Sequence, residues 1–376
     1  MPAPPVRFQA HPGTPSLARP ATEAVDRVAV RRAALWALLA AKLVASWGVR
    51  WDIQWHLLIG RDSFWIAPHV MTYAGVSAIV GLSFGVLAWE RARGTAPSPG
   101  FRVAACGIAT TVAAAPIDDL WHRLFGLDVT LWSPPHLMGI LGGVANSVGC
   151  LLIAREVYPA GHRARPAALI VTAALLYSGL HLTTEPAWLV AYRHGGVRFH
   201  TYAGLAALLL PLALVPAARL TGRRAAPLLV LVVVLLSGVG AAQVARAGFA
   251  LLQPVSVIEQ ASAADPESPI ALAHAIARKN RSGPGARGPW LPVLALIPAA
   301  AMVVADARRR PIAASVAHAA AVFAINGWAL AHSPAFGPLV PSVAETALAL
   351  ALTLAAAAVG ADVARRLAGA IAARAA

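Results

Sequence analysis

Two histidines and an aspartate near the first apolar run have the spacing of a metal-binding site. In the stretch WDIQWHLLIGRDSFWIAPH, residues 51–69, Asp52 and His56 are four residues apart, so a helix would place them on one face, one turn apart. Pro68 favours the start of a new helix, which puts His69 in its first turn. A tight hairpin between the two helices would bring His69 back to Asp52 and His56.

The same pattern recurs 66 to 67 residues later, in DDLWHRLFGLDVTLWSPPH, residues 118–136. Asp118 and His122 repeat the four-residue spacing, and His136 follows a proline pair. Internal self-similarity of this kind indicates a repeated structural unit. The unit predicted here is a helix pair with a polar corner, and its two copies predict two equivalent sites.

Two imidazoles and one carboxylate at one point suit zinc, copper(II) or non-haem iron(II). Three protein ligands leave coordination positions open, as catalytic metal sites do. The general affinity order favours copper, but the residues alone do not select the metal. The alternative interpretation is a duplicated structural corner in which Asp, His and Arg hydrogen-bond to one another.

Further polar and aromatic residues accompany the candidate ligands. Asp62 and Asp128 are placed to accept the remaining imidazole N–H of a ligand, and Arg61 to pair with a carboxylate. These three are the candidates for a supporting or proton-relaying role, while the catalytic residues themselves stay unknown. The nearby tryptophans are typical of interfacial aromatic belts: Trp51, Trp55, Trp65, Trp121 and Trp132.

A weaker third set follows from the tetrapeptide TYAG, which occurs at 72–75 and again at 201–204. Aligned on it, His181 falls on Asp52 and Glu185 on His56, while His200 lies close to the position of His69. The pattern predicts either a third metal-binding set, His181, Glu185 and His200, or polar residues that line a cavity.

The remaining sequence is that of a membrane protein. It is 58% hydrophobic and 12% charged, with a mean hydropathy of +0.65, whereas soluble domains are about 25% charged. About ten apolar runs are long enough to cross a bilayer, and they are too long and unalternating for barrel strands. We therefore predict an all-α polytopic membrane protein with spans at 33–54, 67–89, 102–122, 135–155, 166–184, 199–218, 226–250, 289–306, 311–331 and 338–362.

The predicted organisation has three parts. Residues 1–32 are predicted to form a disordered cytoplasmic tail, and 33–218 a six-helix metal-binding membrane region with repeated hairpins. Residues 219–376 are predicted to form a four-helix C-terminal membrane region with a flexible outer loop at about 254–288. The first apolar run is too far into the chain for a cleaved signal peptide.

The basic residues predict the orientation and exclude one class of partner. Alternate connecting segments carry twenty Arg against nine Arg and Lys in the others, so the positive-inside rule predicts an inner-membrane protein with both termini cytoplasmic and both polar corners outside. The net charge of +15 is distributed in short clusters between apolar runs, which indicates a lipid bilayer and no nucleic acid. Cys106 and Cys150 lie within apolar runs and have no metal-ligand spacing.

The motif D-x2-W-H-x4-R-D-x2-[FW]-x3-H, which begins at Asp52 and ends at His69, resembles the first metal site in the C-type subunit of the particulate methane and ammonia monooxygenases. That family binds its metal there with an Asp, a His one turn later and a His on the next helix. The spacing of Asp118, His122 and His136 resembles the family's second site, although Asp118 stands where the family has Asn. The resemblance covers roughly residues 35–160.

The resemblance implies a copper-dependent membrane monooxygenase, or a subunit of one, that oxidises small apolar substrates with dioxygen. It also implies partner subunits of that type; a homo-oligomer is the other possibility. Two alternatives stay open from the residues alone. One is a copper- or zinc-handling membrane protein without catalysis, and the other is an assembly protein whose corners hold no metal.

Overall fold

The computed structural model describes residues 21–60, 64–126, 131–185, 191–269, 271–272, 274–275, 291–333 and 336–373. Within these ranges the chain is helical and contains no β-strand, which confirms the predicted all-α class. The helices are α1 (Ala21–Leu58), α2 (Ala67–Ala92), α3 (Pro99–Phe125), α4 (Pro134–Val157), α5 (Arg165–Leu182), α6 (Thr201–Leu209), α7 (Pro211–Thr221), α8 (Ala226–Leu252), α9 (Val257–Ala264), α10 (Leu291–Leu294), α11 (Leu296–Val304), α12 (Pro311–Ala331) and α13 (Val343–Ala373). Short 3-10 turns lie at Ala191–His194, Gly196–His200 and Gly337–Leu339.

Eight helical segments of the described chain are long and apolar enough to cross a membrane. They are α2, α3, α4, α5, the continuous segment Gly196–Thr221 that contains α6 and α7, α8, α12 and α13. The membrane character predicted from composition therefore has a structural counterpart. The predicted number of ten is not confirmed, because 33–54 lies within the longer α1 and 289–306 covers the short helices α10 and α11.

The segment before the first apolar run is partly ordered, contrary to the prediction of a disordered tail over 1–32. Helix α1 begins at Ala21, and residues 1–20 lie outside the described chain. Arg31 forms an ion pair with the buried Glu90 of α2, with 2.5 Å between Nη2 and Oε1. Arg32 Nε donates to the carbonyl of Val157 at the end of α4, at 2.9 Å. These tertiary contacts extend α1 beyond its apolar part.

The first four helices form two antiparallel hairpins, α1–α2 and α3–α4, which pack through glycines. A Cβ added at Gly75 of α2 would lie 2.7–2.8 Å from backbone atoms of α1. A Cβ added at Gly142 of α4 would lie 2.6–2.7 Å from atoms of Thr111 and Gly107 on α3. Small residues at such positions allow the helix backbones to approach closely, as is common between membrane helices.

A partly buried lysine links the two hairpins. Lys42 on α1 donates from Nζ to Asn146 Oδ1 at 2.9 Å and to the Gly143 carbonyl at 3.2 Å, both on α4. Asn146 in turn donates from Nδ2 to the Ala104 carbonyl of α3 at 2.7 Å. Because a charge inside a bilayer is costly unless it is satisfied, this network favours one relative position of the hairpins.

The C-terminal half packs directly against the first hairpin. Trp51 and Trp55 are buried, and their rings lie 6.2 and 5.7 Å from that of Phe249 on α8. Trp51 and Trp55 therefore pack inside the protein, whereas Trp65 is 72% exposed. Part of the predicted outer loop is also ordered: α9 lies within it, and Val257 N donates to the Ile59 carbonyl at 2.8 Å.

Candidate metal centres

The first hairpin brings Asp52, His56 and His69, which we call the first triad, to one point. Asp52 Oδ1 lies 3.3 Å from His56 Nδ1 and 3.0 Å from His69 Nε2. One potential ligand atom from each side chain lies within 4.8 Å of the others. The hairpin geometry predicted from the spacing is thus present.

The second hairpin brings Asp118, His122 and His136, the second triad, together in the same way. His122 Nε2 lies 3.4 Å from Asp118 Oδ2, and His136 Nε2 lies 3.4 Å from Asp118 Oδ1. The imidazole centroids are 6.1 Å apart, against 5.9 Å in the first triad. The side chains of both triads are only 14–34% exposed.

Local sequence explains why each corner forms. α1 ends at Leu58 and is followed by Gly60 at φ +100°, and α3 ends at Phe125 and is followed by Gly126 at φ +83°. Glycine adopts such positive φ values without strain, so the chain can turn directly after each Asp–His pair. Pro68 and Pro135 then lie at the first turns of α2 and α4, where their missing N–H has no consequence.

The backbone determines which imidazole nitrogen carries the proton in three of the four histidines. His56 Nδ1 lies 3.0 Å from the Asp52 carbonyl oxygen of its own helix. His69 Nδ1 lies 3.0 Å from the Phe64 carbonyl oxygen, and His122 Nδ1 lies 3.0 Å from the Gly126 carbonyl oxygen. A carbonyl only accepts, so these Nδ1 atoms are donors, and Nε2 is the nitrogen of His56 that can bind a metal. In the neutral tautomer the Nε2 lone pairs of His69 and His122 then face the carboxylates of Asp52 and Asp118. Two electron-rich groups this close require a positive charge, either a proton or a metal ion.

The distances within the triads fit a bound metal. Ligand atoms at about 2.0–2.2 Å from one tetrahedral ion lie about 3.3–3.6 Å from each other, close to the 3.0–3.4 Å between the carboxylates and Nε2 of His69, His122 and His136. Oδ1 of Asp52 and Oδ1 of Asp118 are buried and face imidazole nitrogens of their own triads. A cation between the three side chains would satisfy these carboxylate oxygens. The donor set of two nitrogens and one oxygen suits copper, zinc or iron.

The third predicted set does not converge. Within the described ranges, the first and second triads are the two groups of His, Cys, Asp or Glu whose ligand atoms come together. His181 Nε2 contacts the Tyr202 hydroxyl at 3.2 Å, while Glu185 Oε2 accepts from Leu131 N at 3.4 Å. The ring of His200 stacks on Phe323 at 4.1 Å. Helix α5 ends at Leu182, so His181 and Glu185 do not share a helix face as the alignment assumed.

Other predicted residues lie outside the described chain, and one neighbour of the first triad was missed. Arg61, Asp62 and Asp128 fall in the segments 61–63 and 127–130, which the structure does not describe. Tyr73, one turn after His69 on α2, packs beside it at 5.8 Å between ring centroids and stacks on Phe64 at 4.9 Å. Tyr73 belongs to the TYAG tetrapeptide, whose recurrence was noticed in the sequence, but the sequence did not indicate that Tyr73 lies beside the first triad. The corresponding residue of the second hairpin is Ile140.

The comparisons with known proteins add no relative: no family model, no curated protein and no solved structure matches this chain.

Proposed function

We propose that this protein is a copper-binding integral membrane protein that resembles the C-type subunit of the membrane monooxygenases and oxidises small apolar molecules with dioxygen. The observation that carries the proposal is the geometry of the two triads. In each, two imidazoles approach one partly buried carboxylate at 3.0–3.4 Å. Backbone carbonyls orient one ring of each pair so that a nitrogen lone pair faces the carboxylate.

Copper is the metal that we assign to these sites. Imidazole suits copper, and copper(II) has the highest affinity among the divalent first-row metals for a given nitrogen and oxygen site. Three protein ligands leave room for an exogenous molecule. Zinc or iron would bind the same donors, so metal analysis must precede any assay.

The surroundings of the triads suit an apolar substrate. Beside the first triad, Leu57, Phe64 and Trp65 are 55–72% exposed, and beside the second, Leu124 and Phe125 are 65–68% exposed. A small apolar molecule dissolved in the bilayer would reach either corner across these side chains. The ligand residues would hold the metal, while Phe64 and Tyr73 would limit the access of water to His69.

The oxidation has a defined balance. One oxygen atom of dioxygen enters a C–H or N–H bond of the substrate, and the other leaves as water, which consumes two electrons and two protons from an external reductant. Copper supplies the one-electron chemistry with dioxygen when bound. Asp62 and Asp128 stay the predicted proton-relaying residues, and Arg61 the predicted partner of a carboxylate.

The proposal also includes the arrangement in the membrane. Helix α1 and the segment of α10 and α11 would complete ten spans. Both termini would be cytoplasmic in an inner membrane, with both triads toward the outer face. Partner subunits of the monooxygenase type, or further copies of this chain, would complete the assembly.

Metal handling without catalysis is the second candidate. The partial exposure of the triad side chains, up to 34% for His56, would allow a metal to be passed to another protein. This function requires the same bound metal but no consumption of dioxygen.

The decisive measurement is the metal content of the detergent-purified protein. We expect about two copper ions per chain, one for each triad, and a loss of nearly all of them in His56→Ala/His122→Ala. The control is His332→Ala, because this exposed histidine lies at the end of α12, outside both triads. Zinc alone would favour metal handling. If a folded sample reconstituted with copper retains none, both metal-dependent functions are wrong and the corners are hydrogen-bonded structural features.

A second assay separates the two metal-dependent functions. Copper-loaded protein in native membranes is supplied with a reductant and either ammonia or a short alkane, and dioxygen consumption is recorded. Substrate-dependent consumption that disappears in His56→Ala/His122→Ala, but not in His332→Ala, supports the monooxygenase chemistry. Stable copper binding without substrate-dependent dioxygen consumption would support metal handling as the function.

A further inference from the structure

A basic cleft lies at the end of the helices opposite to the triads. Helix α4 begins at the second corner, and its 24 residues carry the chain about 36 Å before it reaches the next turn. There the turn from α4 to α5 and the turn from α7 to α8 border an open cleft of about 600 Å³. Four arginines and one histidine line it: His162, Arg163, Arg165, Arg219 and Arg223.

The polar side chains of this cleft are predominantly hydrogen-bond donors. His162 Nδ1 accepts from the backbone N–H of Ala164 at 3.1 Å, so its Nε2 carries the proton and donates in the neutral tautomer. Guanidinium groups have no acceptor. Thr221 is the other polar residue of the lining, and its hydroxyl donates to the Ala217 carbonyl at 2.6 Å.

Within the described residues, no carboxylate neutralises the positive charge of the cleft. None of the residues that line the cavity is acidic. Nearby, Asp306 forms a bidentate pair with Arg308 at 3.0 Å, and Arg308 also donates to the Gly222 carbonyl. Glu156, at the end of α4, accepts from Ser98 and from the Gly100 N–H. Both carboxylates thus have partners of their own.

Of the four arginines, Arg163 and Arg223 are available for a ligand, whereas Arg165 and Arg219 each already donate one hydrogen bond. Arg165 donates one bond, to the Leu220 carbonyl at 3.2 Å, and Arg219 one, to the Arg308 carbonyl at 3.3 Å. The guanidinium groups of Arg163 and Arg223 form neither a hydrogen bond nor an ion pair with any residue in the described part of the chain. Planar guanidinium groups bind phosphate oxygens in pairs.

We propose that this cleft binds a phosphate group, either in the headgroup of an anionic lipid or as a free phosphate. Basic pockets between membrane helices at the cytoplasmic surface are suited to phospholipid headgroups, and Pro166 and Leu220 provide an apolar border beside the charges. The cleft is separate from the triads, so this inference holds whether or not they bind copper.

The test compares two double variants of the full-length protein. Arg163→Gln/Arg223→Gln removes the two available charges without removing a packing contact. Arg91→Gln/Arg102→Gln is the matched control, because these exposed arginines flank the turn from α2 to α3 at the same end of the molecule. Each protein is placed in nanodiscs of phosphatidylcholine with or without phosphatidylglycerol or diphosphatidylglycerol. Lipid retained after extraction is measured by native mass spectrometry, and inorganic phosphate binding is measured in the neutral nanodiscs.

We expect the cleft variant to bind roughly 30-fold more weakly, since each basic residue near a membrane surface contributes about 1 kcal/mol. The control should bind as the wild type does. Retention of anionic lipid without binding of inorganic phosphate identifies a headgroup site, and the reverse identifies a free phosphate. The proposal is overturned if the cleft variant matches the control, or if the wild type binds neither ligand.

Discussion

At the scale of single residues, the triads are held in place by their own backbone. His69 is held by the Phe64 carbonyl and by the ring of Tyr73. His122 is held by the carbonyl of Gly126, the C-cap residue of the same helix. A hydrogen bond on one imidazole nitrogen orients the other and makes it a better metal ligand. The sites are therefore preorganised by peptide groups, and substitution of the neighbouring side chains should leave these hydrogen bonds intact.

Asp118, which supplies the carboxylate of the second triad, is the residue to substitute first. Asn at position 118 keeps an oxygen at the same place but removes its charge. Loss of a group that only supports a ligand costs about 10–100-fold in metal affinity, so we expect Asp118→Asn to bind its metal at least about tenfold more weakly. Asp118→Leu should lose that metal, while the first triad keeps its own.

Titration of metal-free protein with copper at limiting and saturating concentrations gives the copper affinity and the number of copper ions bound per chain. The two variants share an unchanged first triad, which serves as an internal control for folding. Equal copper affinity in Asp118→Leu and wild type would show that the carboxylate is not a ligand.

At the scale of helices, each triad depends on how closely two helices approach. Asp118 and His122 lie on α3 and His136 on α4, so the second triad exists only while these helices are in contact. Gly142 lies in that contact, and Gly75 has the corresponding place between α1 and α2. The sites are therefore sensitive to residue volume at positions that hold no ligand.

A larger residue at position 142 should separate α3 from α4 and disassemble the second triad. A Cβ at Gly142 would lie 2.6 Å from Thr111 Oγ1 and 2.7 Å from two backbone atoms, and backbone cannot move aside as a flexible side chain can. We expect Gly142→Val to lower the metal content from about two to about one per chain, the first triad being unaffected.

Gly143→Val is the matched control on the same helix, because a Cβ there would meet no atom of the described chain within 4 Å. Copper per chain is measured for both variants after circular dichroism has shown equal helix content. Full metal content in Gly142→Val would mean that the helix contact does not position the ligands.

At the scale of the whole molecule, the local features were predictable and the long-range ones were not. The triads follow from an i, i+4 pair and a proline-marked helix start, both of which the sequence displays directly. The burial of Trp51 and Trp55 depends on Phe249, about 200 residues away, and Arg31 and Arg32 find their partners in Glu90 and Val157 on other helices. No local pattern encodes such contacts, which is also why α9 was missed within the predicted outer loop.

The number of spans and the orientation can be tested together by cysteine accessibility in intact cells. With ten spans and cytoplasmic termini, Leu124 and Val255 lie on the outer face, while Arg309 and Gly369 lie inside. Leu124 and Val255 are 65% and 67% exposed, and the Arg309 side chain is 82% exposed. We therefore expect Leu124→Cys and Val255→Cys to react with a membrane-impermeant maleimide, and Arg309→Cys and Gly369→Cys to react only after permeabilisation.

The parent protein, with Cys106 and the buried Cys150 alone, gives the background labelling. Reaction of Arg309→Cys in intact cells would mean that α10 and α11 do not cross the bilayer, because Val255 and Arg309 would then lie on one side. A fully inverted pattern would place both triads in the cytoplasm. Copper would then have to be acquired from the reducing side of the membrane, and the outward-facing centres of the proposed monooxygenase would be ruled out.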